Sequence, residues 1–184
     1  MRLVLASASP RRQAILESLE LPFDTRPAGI AEISDGEPAE VAVRNASDKA
    51  RAVARPGELV LGVDTVVALD GRLWPKPADA ADAAATLRAL SGRTHEVVSG
   101  FALVRDDAVT TGHEMTRVTF RDLDEPTLSA YLASGEWHDR AGAYAIQGRG
   151  AVLIARVDGD YLNVIGLPVA AIDALQRVLG SEGG

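Results

Sequence analysis

Continuous apolar runs, the mark of strands buried on both faces, take turns along the chain with stretches whose apolar positions recur every three or four residues, the mark of helices. Residues 3–6 form the first such run. A Ser-Ala-Ser-Pro turn ends it, and Pro10 stands at the first position of a helix expected to reach about residue 19. Residues 40–54 carry Val41, Ala42, Ala46, Ala50 and Val53 at helical spacing and stop at Pro56-Gly57. Residues 59–69 are almost wholly apolar and rich in β-branched side chains, which predicts a central strand closed by a hairpin turn at Asp70-Gly71. An alanine-rich helix is expected over 78–90, ended by Gly92. Strands over 96–104 and 108–120 are expected to pair across Asp106-Asp107, with a short helix over 126–133 after them. The segment 135–150 holds four glycines and predicts an ordered loop close to a ligand. A strand over 151–157, a turn at Asp158-Gly159 and a last helix over 168–179 complete the pattern.

Strands and helices mix without strict alternation, so the expected class is α/β (α+β mixed) with a mixed sheet rather than a regular doubly wound one. A length of 184 residues suits one domain over 1–180 with a flexible tail at 181–184. The opening apolar run is too short for a signal-peptide core or a membrane helix, so a cytoplasmic protein is expected.

Composition narrows the chemistry. There is no cysteine, which excludes disulfides, thiol nucleophiles, iron–sulfur clusters and cysteine zinc sites. The three histidines, His95, His113 and His138, include no pair at i, i+4 spacing and are assigned to packing or surface roles. Any bound metal is therefore expected to be hard and held by oxygen. A formal charge of −7 argues against nucleic-acid or anionic-membrane partners. Of nineteen Lys and Arg residues only Lys49 and Lys76 are lysine.

Four places carry candidate chemistry. Ser7-Ala8-Ser9-Pro10-Arg11-Arg12 joins a strand to a helix start and gathers free backbone N–H groups, two hydroxyls and two guanidiniums, the donors that hold an anion. The plain alternative is that Ser9 caps the helix and the arginines are solvated. Asp64 stands inside the apolar strand, where an ionised carboxylate is costly unless paired or metal-bound. Lys76 sits between Pro75 and Pro77, which restrict its backbone and aim its ammonium; an edge turn with a solvated lysine is the alternative. Gln147, in a glycine-rich stretch, offers a donor and an acceptor to a base edge. Glu32 lies in a loop where most glutamates are only solvated.

Six ordered blocks then resemble the Maf family of nucleoside triphosphate pyrophosphatases: residues 5–12, Asp48-Lys49-Ala50, residues 62–67, Lys76-Pro77, residues 141–148 and residues 163–168. The resemblance spans almost the whole chain. It implies a fold similar to inosine triphosphate pyrophosphatases, a long twisted mixed sheet flanked by helices, in two lobes with a central cleft. The implied reaction splits a nucleoside triphosphate between its α and β phosphates with Mg²⁺ or Mn²⁺. Carried over, Asp64 activates water or positions it as a metal ligand, and Glu32 helps hold the metal. Ser7, Arg11, Lys49 and Lys76 grip the phosphates, Ser9 belongs to the substrate-binding set, and Arg12, Thr65 and Gln147 match positions linked with base choice. The Tyr-Ala-Ile-Gln form at 144–147 resembles the branch acting on dTTP and UTP. The alternatives are the 7-methyl-GTP branch and a nucleotide-binding regulator of cell division. A homodimer is the family expectation.

Overall fold

The computed structural model describes residues 2–180, so the tail expected at 181–184 lies outside the described residues. The elements in chain order are β1 (Arg2–Leu5), α1 (Pro10–Ser18), β2 (Phe23–Thr25), α2 (Pro38–Val53), β3 (Glu58–Leu69), β4 (Arg72–Leu73), α3 (Ala80–Leu90), β5 (Thr94–Arg105), β6 (Ala108–Phe120), α4 (Glu125–Ser134), β7 (Ile154–Asp158), α5 (Tyr161–Ile165) and α6 (Val169–Gly180). They build an open seven-stranded sheet in the order β2-β1-β3-β5-β6-β7, with β4 paired to β3. β1 runs parallel to β2 and β3, and all other pairs are antiparallel. The sheet is therefore mixed, as expected from the pattern.

Alternation along β3 and β5 sorts the core onto two faces. Val60 and Ala102 meet Ala46 and Ala50 of α2 on one face. On the other, Leu59, Leu61, Val63, Phe101 and Leu103 pack with α1 and α6, while Val67, Leu69 and Val97 pack with α3 and α4. The two clusters of this second face are the bases of two lobes.

Helix α2 approaches the sheet unusually closely because glycines face it. A Cβ at Gly62 would lie 2.1 Å from the Ala46 carbonyl oxygen, and one at Gly100 would lie 2.2 Å from the Ala42 carbonyl carbon. Gly62 and Gly100 flank Asp64 on the same face, since Asp64 pairs directly with Gly100.

The cleft follows from strand lengths. β1 ends at Leu5, opposite Leu61, and β4 ends at Leu73, opposite Ala68. Among the described residues no strand covers that edge of β3 between these points, so Asp64, Thr65 and Val66 border an opening in the sheet.

The pattern misplaced or passed over a few segments. The expected strand over 151–157 begins only at Ile154, because Gly148–Leu153 forms a 3-10 turn first. Gly150 packs against the Ala145 carbonyl there, and Leu153 O accepts from Arg121 N. Three short elements, β2, β4 and α5, have only three, two and five residues. Each is too brief to carry a periodic signal. Among the described residues no helix is long and apolar enough to cross a membrane.

Candidate active site

A cavity of about 760 Å³ fills the opening beside β3, within the roughly 300–1,000 Å³ of small-ligand clefts. The β1–α1 turn, the loop carrying Glu32, helix α2, the Trp74–Lys76 turn and the 139–147 segment all contribute to its walls. Each sequence-predicted site residue, namely Ser7, Ser9, Arg11, Arg12, Glu32, Lys49, Asp64, Thr65, Lys76 and Gln147, lines this one cavity.

Its acidic end is built by α2 and β3. The Lys49 ammonium lies 2.6 Å from Asp64 Oδ1 and 2.6 Å from Glu32 Oε1. The Lys49 and Asp64 side chains are buried, at 12% and 8% exposure, whereas Glu32 is open to solvent at 40%. Asp64 Oδ2 accepts a hydrogen bond from Asn45 Nδ2 at 3.0 Å. Asn45 and Lys49 lie one helical turn apart and so reach the same carboxylate from one face of α2.

Thr65 points to the opposite face, as alternation requires, and meets the β1–α1 turn. Arg12 donates to Thr65 Oγ1 at 3.1 Å, to Ser7 Oγ at 2.9 Å and to Gly166 O at 2.7 Å. Burial lowers its pKa from the ordinary value, and the charges of Asp64 and Glu32 act in the opposite sense. Arg12 thus clamps the β1–α1 turn, β3 and the Gly166 segment together. Arg11 differs: Nε donates to Ile165 O at 3.1 Å, while the buried Nη1 has no protein partner. Arg11 also lines the cavity. Pro10 occupies the first helical position and Ser9 the cap position, yet the Ser9 side chain makes no capping bond. The capping alternative for its hydroxyl therefore does not hold. Lys76 and Gln147 are exposed on the cavity rim.

The glycine-rich segment is ordered by its own contacts. Ala145 N donates to Tyr131 Oη at 3.1 Å, and Tyr144 Oη meets His95 Nε2 at 2.8 Å. Burial pushes the His95 pKa down to about 4 and raises those of Tyr144 and Tyr131, the latter to about 12. His95 is a packing residue, as expected, and His138 stacks on Trp137. Asn45 is the functional neighbour that sequence reasoning missed. A polar residue among Val41, Ala42 and Ala46 was its only signal.

The donor set would suit a hard divalent cation: two carboxylates converge on one ammonium, and the described residues lining the cavity include neither a soft nor an imidazole ligand. Among the described residues no group of three or more acidic or histidine side chains is arranged to hold a metal. Glu32 and Asp64 would thus supply two ligands and leave the remaining positions to water and the oxygens of a bound anion, a pattern ordinary for Mg²⁺.

A model of the Maf-like protein family matches residues 2–178. The chain is 48% identical to a dTTP/UTP pyrophosphatase of Symbiobacterium thermophilum over 172 residues, covering 91% of this chain and 89% of that protein. It is 50% identical over 178 residues to a dTTP/UTP pyrophosphatase of Nitratidesulfovibrio vulgaris, covering 94% and 85%. A dTTP/UTP pyrophosphatase of Pyrococcus furiosus is 41% identical over 177 residues, covering 93% and 92%. With the six sequence blocks gathered around one cleft in a mixed sheet, this chain belongs to the Maf family.

Proposed function

We propose that this protein is a nucleoside triphosphate pyrophosphatase that hydrolyses dTTP and UTP to the monophosphate and pyrophosphate with a divalent cation, Mg²⁺ or Mn²⁺. The observation that carries the reading is that one cleft is lined by the carboxylates Glu32 and Asp64, by Lys49 between them, and by Arg11 and the Ser7–Ser9 turn. Relatives 41–50% identical over most of their length are dTTP/UTP pyrophosphatases, which supports the same substrates.

The residues divide the work. Glu32 and Asp64 would hold the cation, which supplies positive charge to the phosphate oxygens and acidifies bound water. Lys49 neutralises the two carboxylates and offers an ammonium to a phosphate oxygen. Arg11, the Ser7–Ser9 turn and Lys76 bind the remaining phosphate oxygens, which orients the chain of phosphorus atoms for in-line attack. Asp64 accepts the proton of the attacking water. The water oxygen bonds to phosphorus as the bond to the α–β bridging oxygen breaks, and pyrophosphate leaves. Thr65 and Gln147, which line the same cleft, would meet the base. The same reading includes a cytoplasmic setting and a homodimer, the latter read by light scattering.

Incubation with dTTP, UTP, 7-methyl-GTP and ATP, each with Mn²⁺, tests the reading by quantifying pyrophosphate and monophosphate. Release from dTTP and UTP in preference to the other two is expected. A failure to release pyrophosphate from any of the four would remove it, and a preference for 7-methyl-GTP would reassign the branch.

A further inference from the structure

The loop between β2 and α2 carries Glu32 and has no strand or helix of its own. Ile30, Glu32 and Ile33 on it are exposed, so apolar burial does little to hold it. Asn45 provides an attachment. Ile33 N donates to Asn45 Oδ1 at 2.9 Å, and Asn45 Nδ2 donates back to Ile33 O at 3.0 Å. One side-chain amide thereby copies the two-bond pairing of neighbouring strands.

The second hydrogen of the same Nδ2 goes to Asp64 Oδ2 at 3.0 Å. Rotating the amide by half a turn would set its oxygen against the Asp64 carboxylate and its NH₂ against the Ile33 N–H, so the partners admit one orientation. Asn45 is 3% exposed, on a helix face that also carries Val41, Ala42, Ala46, Ala50 and Lys49. Asparagine is a poor helix former, and a buried amide is costly unless bonded. An aliphatic residue would serve packing better at this place. The three hydrogen bonds are what an amide adds.

We infer that Asn45 is a positioning residue that makes docking of the Glu32 loop and orientation of Asp64 a single event. With Oδ2 held by Asn45, the Asp64 carboxylate turns Oδ1 toward Lys49, and Ile33 held by the same amide brings Glu32 to the same ammonium. Loss of the amide frees both carboxylates together. Its effect on turnover rests on the proposed pyrophosphatase reading; the coupling of loop to strand does not.

Two variants of the full chain separate the contributions. Asn45→Asp keeps the acceptor for Ile33 N and loses the donor to both Asp64 and Ile33 O, while Asn45→Leu keeps bulk and loses all three bonds. Measured with dTTP and Mn²⁺, kcat is expected to fall roughly tenfold or more in each, with KM changed by less than about threefold. Amide hydrogen exchange without nucleotide is expected to quicken over residues 28–36 in Asn45→Leu by about tenfold, with β3 and β5 unchanged. Wild-type kcat in Asn45→Asp, or unchanged exchange of the loop in Asn45→Leu, would overturn the proposal. Exchange quickened uniformly across the sheet would overturn it too, by making Asn45 a general packing residue. If the wild-type protein itself releases no pyrophosphate, the proposed function fails while the exchange comparison still decides the coupling.

Discussion

Lys49 Nζ and Asp64 Oδ1 stand 2.6 Å apart, and the backbone arranges that meeting two residues away from the acid. Gly62 lets the Ala46 carbonyl of α2 come close to β3, and Lys49 lies less than one turn beyond Ala46. The distance between helix and sheet therefore sets the distance between ammonium and carboxylate. Any residue larger than glycine at that contact would open the pair. The site is thus a product of close helix–sheet packing, with the cleft itself supplied by the gap between β1 and β4.

Lys49→Met should lose hydrolysis and stability together. It leaves Asp64 without its charge partner on a largely buried site, and removing one member of such a pair costs about 3–5 kcal/mol. Urea unfolding reads the stability and pyrophosphate release reads the activity. Lys49→Arg keeps the charge, but a planar fork does not fit between two carboxylates that each meet one atom at 2.6 Å. A drop of roughly tenfold or more in kcat is expected for it. At the exposed rim position Lys76→Arg should impair the reaction more mildly; equal wild-type rates in both arginine variants would show that charge alone suffices.

Asp64→Asn should keep the fold and lose turnover. The amide preserves shape but accepts no proton and carries no charge for a cation, and loss of a positioned base costs about 10²–10⁴ in rate. Its circular dichroism should match wild type while kcat for dTTP falls by roughly that factor. Full activity would place the proton acceptor elsewhere.

Gly100→Ala tests the packing that creates the site. A Cβ there would lie 2.2 to 2.4 Å from backbone atoms of Ala42 and Val43, which cannot swing aside as a flexible side chain could. Helix α2 must shift, at a cost of about 3 kcal/mol or more, and must carry Lys49 and Asn45 with it. A lower unfolding midpoint and reduced kcat should appear together. A variant with wild-type stability would contradict the close contact.

His95 should make the protein less stable in acid. Burial holds its folded-state pKa at about 4, below the ordinary 6.5 of an unfolded chain, so the folded form is the one that binds fewer protons between those values. Stability from this group is full above 6.5 and is lost as pH falls toward 4, with about 2 kcal/mol gone by about pH 5. His95→Gln removes the titration. The difference in unfolding free energy between wild type and this variant should therefore narrow by about 2 kcal/mol between about pH 7.5 and 5. A difference that stays constant would mean that His95 is not held neutral.

The apolar pattern alone determined the long elements and the mixed character of the sheet, since β3, β5, β6 and the larger helices each repeat their signal over many residues. It also marked Asp64, because an acid inside an apolar strand is legible wherever that strand lies. The donors of the β1–α1 turn were legible too, and the family resemblance pointed to Lys49 and Glu32. Tertiary structure alone decided how these residues meet. Arg12 reads in sequence as one of two guanidiniums gathered for an anion, yet Ser7, Thr65 and Gly166 engage it from positions 5, 53 and 154 residues away. Asn45 reads as one polar residue on a helix, and only the crossing of α2 over β3 sets it between Ile33 and Asp64. Periodicity records which face a side chain occupies. The partner it finds there depends on which strand stops short, which glycine admits a helix and which loop folds back, and these are properties of the assembled sheet.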